Sequence, residues 1–371
     1  MWNRFVALSG VFGIALALTP VPSAAQAAKT SSKPYAPPRT PDGHPDLQGT
    51  YDLATITPLE RLPGLAAVLT KEQASNLEQY EARRKGKDDA PIQGDRQLPP
   101  VGGDKTPAKS YLEVLERIGG GAVGGYNQFW LDSGSRYTVV DGQIRSSIVV
   151  DPPDGHVPPY STSARKRQAA AQATPTSDAG ESQATGVDPP GAYDNPEQRP
   201  LSERCLLGFG STSGPPALPD YFYNNLHQIV QTKDSILILT EMVHDARIVR
   251  MNAQHLPKTI RKWLGDSVGH WEGDTLVVDT TNFTDKTRFH GATENLHVVE
   301  RFSRVDNERL LYRFTIDDPD TWDRSWTGEY TWPATDKPIY EYACHESNYA
   351  LGDVLRGARL REAEEAEKAR K

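Results

Sequence analysis

Ionisable residues gather at four places in the C-terminal half of the chain: Glu241, His244, Asp245 and Arg247; His270, Glu272 and Asp274; His297, Glu300 and Arg301; and His345 with Glu346. If residues 238–251 run as one strand, Glu241, Asp245 and Arg247 share a face and His244 takes the other. Two carboxylates beside a guanidinium either clamp an anionic substrate or form a solvated salt-bridge face. Glu300 is different. Alternation places it with Leu296, Val298 and Phe302 on an apolar face, while His297 and Arg301 turn the other way. A carboxylate buried there must find a partner or take up a proton. It then serves as general acid or base, or as half of a structural pair with Arg313 or Arg247.

The chemistry these residue types allow is acid–base catalysis, with Glu300 or Asp245 as base and His244 or His345 as acid. Arg247 or Arg301 is the candidate anion clamp, and Glu241 and Trp271 the further substrate contacts. No cofactor is assured. The one candidate is a divalent transition metal, held if three of His244, His270, His297 and His345 converge, although no spacing links any two of them. Familiar signatures fail on context. The glycine run 119–124 fits G-x-G-x-x-G literally, but a helix precedes it and a strand follows, the reverse of a dinucleotide fingerprint. Asp132-Ser133-Gly134-Ser135 has no second copy to share a proton with, and residues 210–214 carry threonine where a nucleophile elbow has serine.

The elements that must position these groups are short strands. Residues 228–232, 235–241, 246–251, 270–271, 275–281, 296–305, 309–316, 326–332 and 339–345 alternate or run apolar between turns. Such a series is an antiparallel meander, which removes its edges by closing. Upstream, 136–140 and 145–150 read as strands, and 126–131 as another. Thr70 caps a helix over 71–85, with Gln73 completing a capping box. A second helix spans 109–118.

The organisation follows. Residues 1–27 have the charged start, apolar stretch and Ala25-Gln26-Ala27 site of a secretory signal, with an apolar core too short to span a bilayer. Residues 28–46 are an extended tether, and 47–160 the N-terminal part of a β domain with two short helices. Residues 161–200, rich in Ala, Ser, Gln and Pro without periodicity, read as a disordered insertion. Residues 201–351 form the barrel core and 352–371 a charged surface helix. The expected place is the periplasm or the exterior, with no membrane span once the signal is removed. A net charge of −8 argues against nucleic acid or an anionic membrane as partner and leaves a small molecule. In an oxidising compartment the two cysteines, Cys205 and Cys344, are expected to bond; the rival reading makes Cys344, beside His345, a nucleophile.

Residues 40–47 (TPDGHPDL), 263–267 (WLGDS), 269–278 (GHWEGDTLVV), 295–302 (NLHVVERF) and 341–346 (EYACHE) together resemble a large family of exported bacterial proteins of uncharacterised function. That resemblance implies a β-rich envelope domain and carries no activity. Gly49-Thr50-Tyr51, opening a strand, is also similar to the first strand of lipocalin-type barrels. The expected fold is therefore all-β: a meander closing into a calycin-like barrel with peripheral short helices. The expected function is a periplasmic lyase, isomerase or hydrolase acting on a small organic molecule in the barrel pocket. The alternatives are a barrel that binds without chemistry and an envelope interaction protein.

Overall fold

The computed structural model describes residues 35–88, 132–173, 191–208, 214–219, 223–286, 289–346 and 348–371. The signal segment, the helix expected at 109–118 and the strand expected at 126–131 lie outside them. Strand β1 (Gly49–Asp52) comes first. A small sheet follows, made of β2 (Val68–Leu69), β3 (Val139–Val140) and β4 (Gln143–Arg145), and then β5 (Val149–Asp151). The large strands are β6 (Leu226–Gln231), β7 (Ser235–Thr240), β8 (Ala246–Met251), β9 (Asp266–Glu272), β10 (Thr275–Thr281), β11 (His297–Arg304), β12 (Arg309–Asp317) and β13 (Trp326–Thr335). In β12 every second side chain is buried (Leu310, Tyr312, Phe314, Ile316), which is the alternation that made the segment legible as a strand.

β6 to β13 pair in chain order, and β1 joins β6 on one side and β13 on the other, through Tyr51↔His227 and Tyr51↔Ala334. The result is a closed barrel of nine strands, with β5 added to β13 outside the ring. Closure pairs both edges of each of the nine ring strands. One pairing departs from the expected meander: β8 and β9 are parallel, in register through Val249↔Ser267. Parallel neighbours need a long return, and residues 252–265 supply it.

The lumen is lined chiefly by rings. Trp332 packs on Tyr312 at 4.6 Å and edge-on to Phe302 at 5.5 Å, while Tyr312 meets Tyr330 edge-on at 5.7 Å. The N-terminal motif closes one end. His44 stacks on Trp271 at 4.8 Å, Arg39 pairs with Asp274, and Arg304 donates to the Asp46 carbonyl at 2.6 Å.

Among the described residues, three helices lie on the periphery. In α1 (Lys71–Asp88), Thr70 Oγ1 accepts from the Gln73 amide and Gln73 Oε1 from the Thr70 amide, so the capping box forms as expected. α2 (Thr162–Ala173) stands within the stretch expected to be disordered. Its Ala, Arg, Lys and Gln are good helix formers, and Ser161 Oγ caps it by accepting from the Ala164 amide. α3 (Tyr349–Arg370) buries no residue. The stretch 339–345 is not a strand: it is irregular chain, with Tyr340 exposed rather than packed inward. Its anchors are the Glu241 carboxylate, which accepts from the Tyr340 amide at 2.8 Å, and the Cys205–Cys344 disulfide, whose Cα atoms are 5.7 Å apart. The disulfide fits an oxidising compartment. No helix among the described residues is long and apolar enough to cross a membrane.

Candidate functional site

Glu300 sits midway along β11 with its side chain fully buried, on the apolar face that alternation assigned to it. Its partner is Arg247, one of the two arginines named from sequence. Arg247 Nη2 donates to Glu300 Oε1 at 2.8 Å and Nη1 donates to Oε2, a bidentate pair inside the lumen. β8 and β11 are not neighbours, so the guanidinium reaches past β9 and β10. The inward residues there, Ser267 and Thr280, are short enough to let it through and hydrogen-bond each other at 2.9 Å. Ser267 Oγ also accepts from Arg247 Nη1 at 3.4 Å.

Tyr312, opposite Phe302 on β12, donates its hydroxyl to Glu300 Oε1 at 2.9 Å. Burial, and then the Glu300 charge, push its pKa well above the ordinary phenol value, so it stays a donor. Burial opposes the Arg247 charge, but the Glu300 carboxylate outweighs it and holds the guanidinium above its usual pKa. Segment 214–219 enters beside this cluster. The Ala217 amide donates to the Tyr312 hydroxyl and the Ala217 carbonyl accepts from the Tyr330 hydroxyl, each at 2.9 Å. All six residues of the segment are buried.

His227, on the inward face of β6 with Ile229, completes the cluster. Its ring lies 5.5 Å from that of Trp332 and is 1% exposed. Burial and, less strongly, the Arg247 charge lower its pKa to about 4; the Asn225 backbone favours protonation without forming a well-aligned hydrogen bond. At neutral pH the ring is uncharged, with one donor and one acceptor nitrogen. Neither nitrogen has a hydrogen-bond partner, nor has Trp332 Nε1. His227, Tyr312 and the 214–219 segment were all missed from sequence. For His227 the signal existed, because it shares parity with Ile229 just as Glu300 does with Val298.

The other expected site residues disperse. Glu241 is buried but leaves the face of Arg247, because the chain breaks into a short 3-10 turn, Met242–His244, with Val243 at φ 61°. Its carboxylate accepts from the Leu226 and Tyr340 amides, a backbone anchor. Asp245 lies two residues before Arg247 with one oxygen buried, and the side chain of His244 is outside the described set. Trp271 is taken by His44. Arg301 is outside the barrel, donating to Glu272 at 2.7 Å, with His270 on the same carboxylate. His345 is exposed in the turn after the disulfide.

Of the four histidines expected to converge on a metal, His270, His297 and His345 have separate surroundings. His297 instead meets a residue that sequence spacing did not single out. His297 Nε2 lies 2.9 Å from Asp279 Oδ2, and His255 Nε2 lies 3.0 Å from Asp279 Oδ1. The hydrogen bond to Asp279 raises the His297 pKa; burial opposes the Asp279 charge, but both histidines outweigh it and hold that carboxyl below its usual range.

Searches against protein-family models, curated proteins and solved structures find no match to this chain.

Proposed function

We propose that the protein is an exported, calycin-like binding barrel whose lumen takes a small, neutral, polar molecule beside Arg247 and Glu300. The observation that carries this reading is the set of three ring nitrogens, His227 Nδ1, His227 Nε2 and Trp332 Nε1, buried in adjacent rings without a partner. Buried polar atoms in folded proteins are nearly always hydrogen-bonded, and a guest that accepts from an N–H and donates to the free imidazole nitrogen would supply those partners. A carbonyl or hydroxyl compound does both. Charge sets the second limit. Glu300 already fills the Arg247 fork, so the lumen offers an anion no open guanidinium, and the aromatic wall suits a compact or flat molecule. Closure of the ring supports the calycin-like reading, whereas the nine strands and the parallel β8–β9 pair depart from an antiparallel meander.

Native mass spectrometry of the protein taken from its export compartment tests this. A mass excess of one small molecule that disappears from His227→Phe and Trp332→Phe supports the reading. Protein at its bare mass, or a guest retained equally by both variants, contradicts it.

The second reading is acid–base catalysis on the same guest, with Glu300 or Asp245 as base. It is favoured by the Tyr312–Glu300 hydrogen bond, which links a proton donor to a buried carboxylate. Conversion of the guest by wild type but not by Glu300→Gln distinguishes it from binding alone.

A further inference from the structure

The chain's two cysteines form one disulfide, and its two ends have different surroundings. Cys205 is 5% exposed. Cys344 is only half-buried, in a turn where Ala343, His345 and Glu346 are exposed. Asn348, the N-cap of α3, lies against the buried end. Its Oδ1 accepts from the Leu351 amide at 3.3 Å, while its Nδ2 donates to the Glu203 carbonyl at 2.7 Å and to Cys205 Sγ at 3.4 Å. Those three contacts fix the amide with its N–H towards the sulfur, because the reversed amide would set oxygen against two acceptors. Cys205 Sγ therefore sits at the N-terminus of a 22-residue helix, where a donor and the helix dipole both favour negative charge.

We propose that the Cys205–Cys344 disulfide is a thiol–disulfide exchange site for an external dithiol, entered at Cys344 with Cys205 as the leaving group. The attacking thiolate bonds to Cys344 Sγ as the S–S bond breaks, and Cys205 takes the bonding pair and departs as a thiolate beside the Asn348 N–H. The second sulfur of the dithiol, once deprotonated, attacks the first and displaces Cys344 as a thiolate. The dithiol ends as a disulfide, the cysteine pair is reduced by two electrons, and the two protons lost by the dithiol end on the two cysteines. Exchange is fast where the attacked sulfur is accessible and the leaving sulfur is a stable thiolate, and this bond offers the two at opposite ends. Cys344, a candidate nucleophile in the sequence, is thus the sulfur that is attacked. Neither cysteine lies in a ring strand, so exchange breaks no ladder bond. It frees instead the chain after β13, whose other anchors include the Tyr340 amide on Glu241 and Lys337 on Asp52.

The test treats the oxidised full-length protein with reduced glutathione at neutral pH, quenches in acid, alkylates the free thiols and maps both cysteines by mass spectrometry. Glutathione should be found on Cys344 and the alkyl group on Cys205, with the reverse pattern at least about tenfold rarer. Dithiothreitol should reduce the bond in the folded protein. Asn348→Asp keeps the helix cap but replaces the donor by a carboxylate, and should slow that reduction about threefold to tenfold. In concentrated guanidinium chloride the variant and the wild type should be reduced at the same rate. If Asn348→Asp fails to fold, as judged by near-ultraviolet circular dichroism, Asn348→Ser replaces it, a cap without the amide that reaches the sulfur. Adducts on Cys205, equal adducts on both cysteines, or a bond that opens only when the barrel unfolds would overturn the proposal. So would wild-type rates in a folded Asn348 variant, or a difference that persists in guanidinium. The lumen guest of the previous subsection is not involved, so no result here bears on it.

Discussion

Glu300→Leu leaves Arg247 charged and unpaired in the lumen, and such a loss typically costs about 3–5 kcal/mol. The double variant Arg247→Met, Glu300→Leu removes both charges and should recover most of it. Urea unfolding of the two variants checks this; equal destabilisation would mean that the pair does more than satisfy itself. His227 makes a separate prediction about pH. Its folded pKa, about 4, lies below the ordinary 6.5, so the fold favours the neutral ring. The stability it contributes is full above pH 6.5 and is lost as pH falls towards 4, in all about 3 kcal/mol. His227→Phe should flatten the wild-type dependence in that window by this amount. Identical slopes would show that the imidazole is not buried neutral. Glu300 was legible in the sequence because one carboxylate interrupted an otherwise apolar parity. Its partner was only narrowed to Arg313 or Arg247, since parity says which face a side chain takes and not how far it reaches across a closed barrel. Arg313 stays outside, 3.8 Å from Glu329.

The strands of the C-terminal half were readable because burial on one face imposes a period of two, and Ala246–Met251 and Thr275–Thr281 fall where expected. Two features broke the pattern for physical reasons. The stretch 339–345 alternates like a strand but has no ladder to join, because the β1–β13 pairing already closes the ring. The parallel return after β8 is set by how residues 252–265 fold back, which no local period records. Within β13, Gly328 shows how tightly the elements fit. A Cβ there would run into the ring of Phe314, the residue opposite it in register. Gly328→Ala should therefore cost about 1–3 kcal/mol, and Phe314→Leu in the same chain should relieve part of it. Chemical denaturation of the single and double variants reads this directly. An alanine tolerated at no cost would mean that β13 shifts more freely than its packing implies.

Over the whole molecule, closure and cross-linking do different jobs. The barrel closes through backbone pairing, whereas the disulfide joins residues 139 apart that both lie outside its strands. Cys205→Ser with Cys344→Ser should lower stability by about 2–5 kcal/mol and loosen the chain after β13, while near-ultraviolet circular dichroism from the lumen aromatics persists. Loss of that signal at room temperature would make the bond part of the barrel itself. Electron density at high resolution around the His227 and Trp332 rings, from crystals of protein purified without denaturation, is the most direct measurement. A small organic molecule hydrogen-bonded to His227 and Trp332 is the predicted result. A lumen in which both rings are unpartnered, or are satisfied by water alone even after soaking with small carbonyl and hydroxyl compounds, would contradict the binding reading.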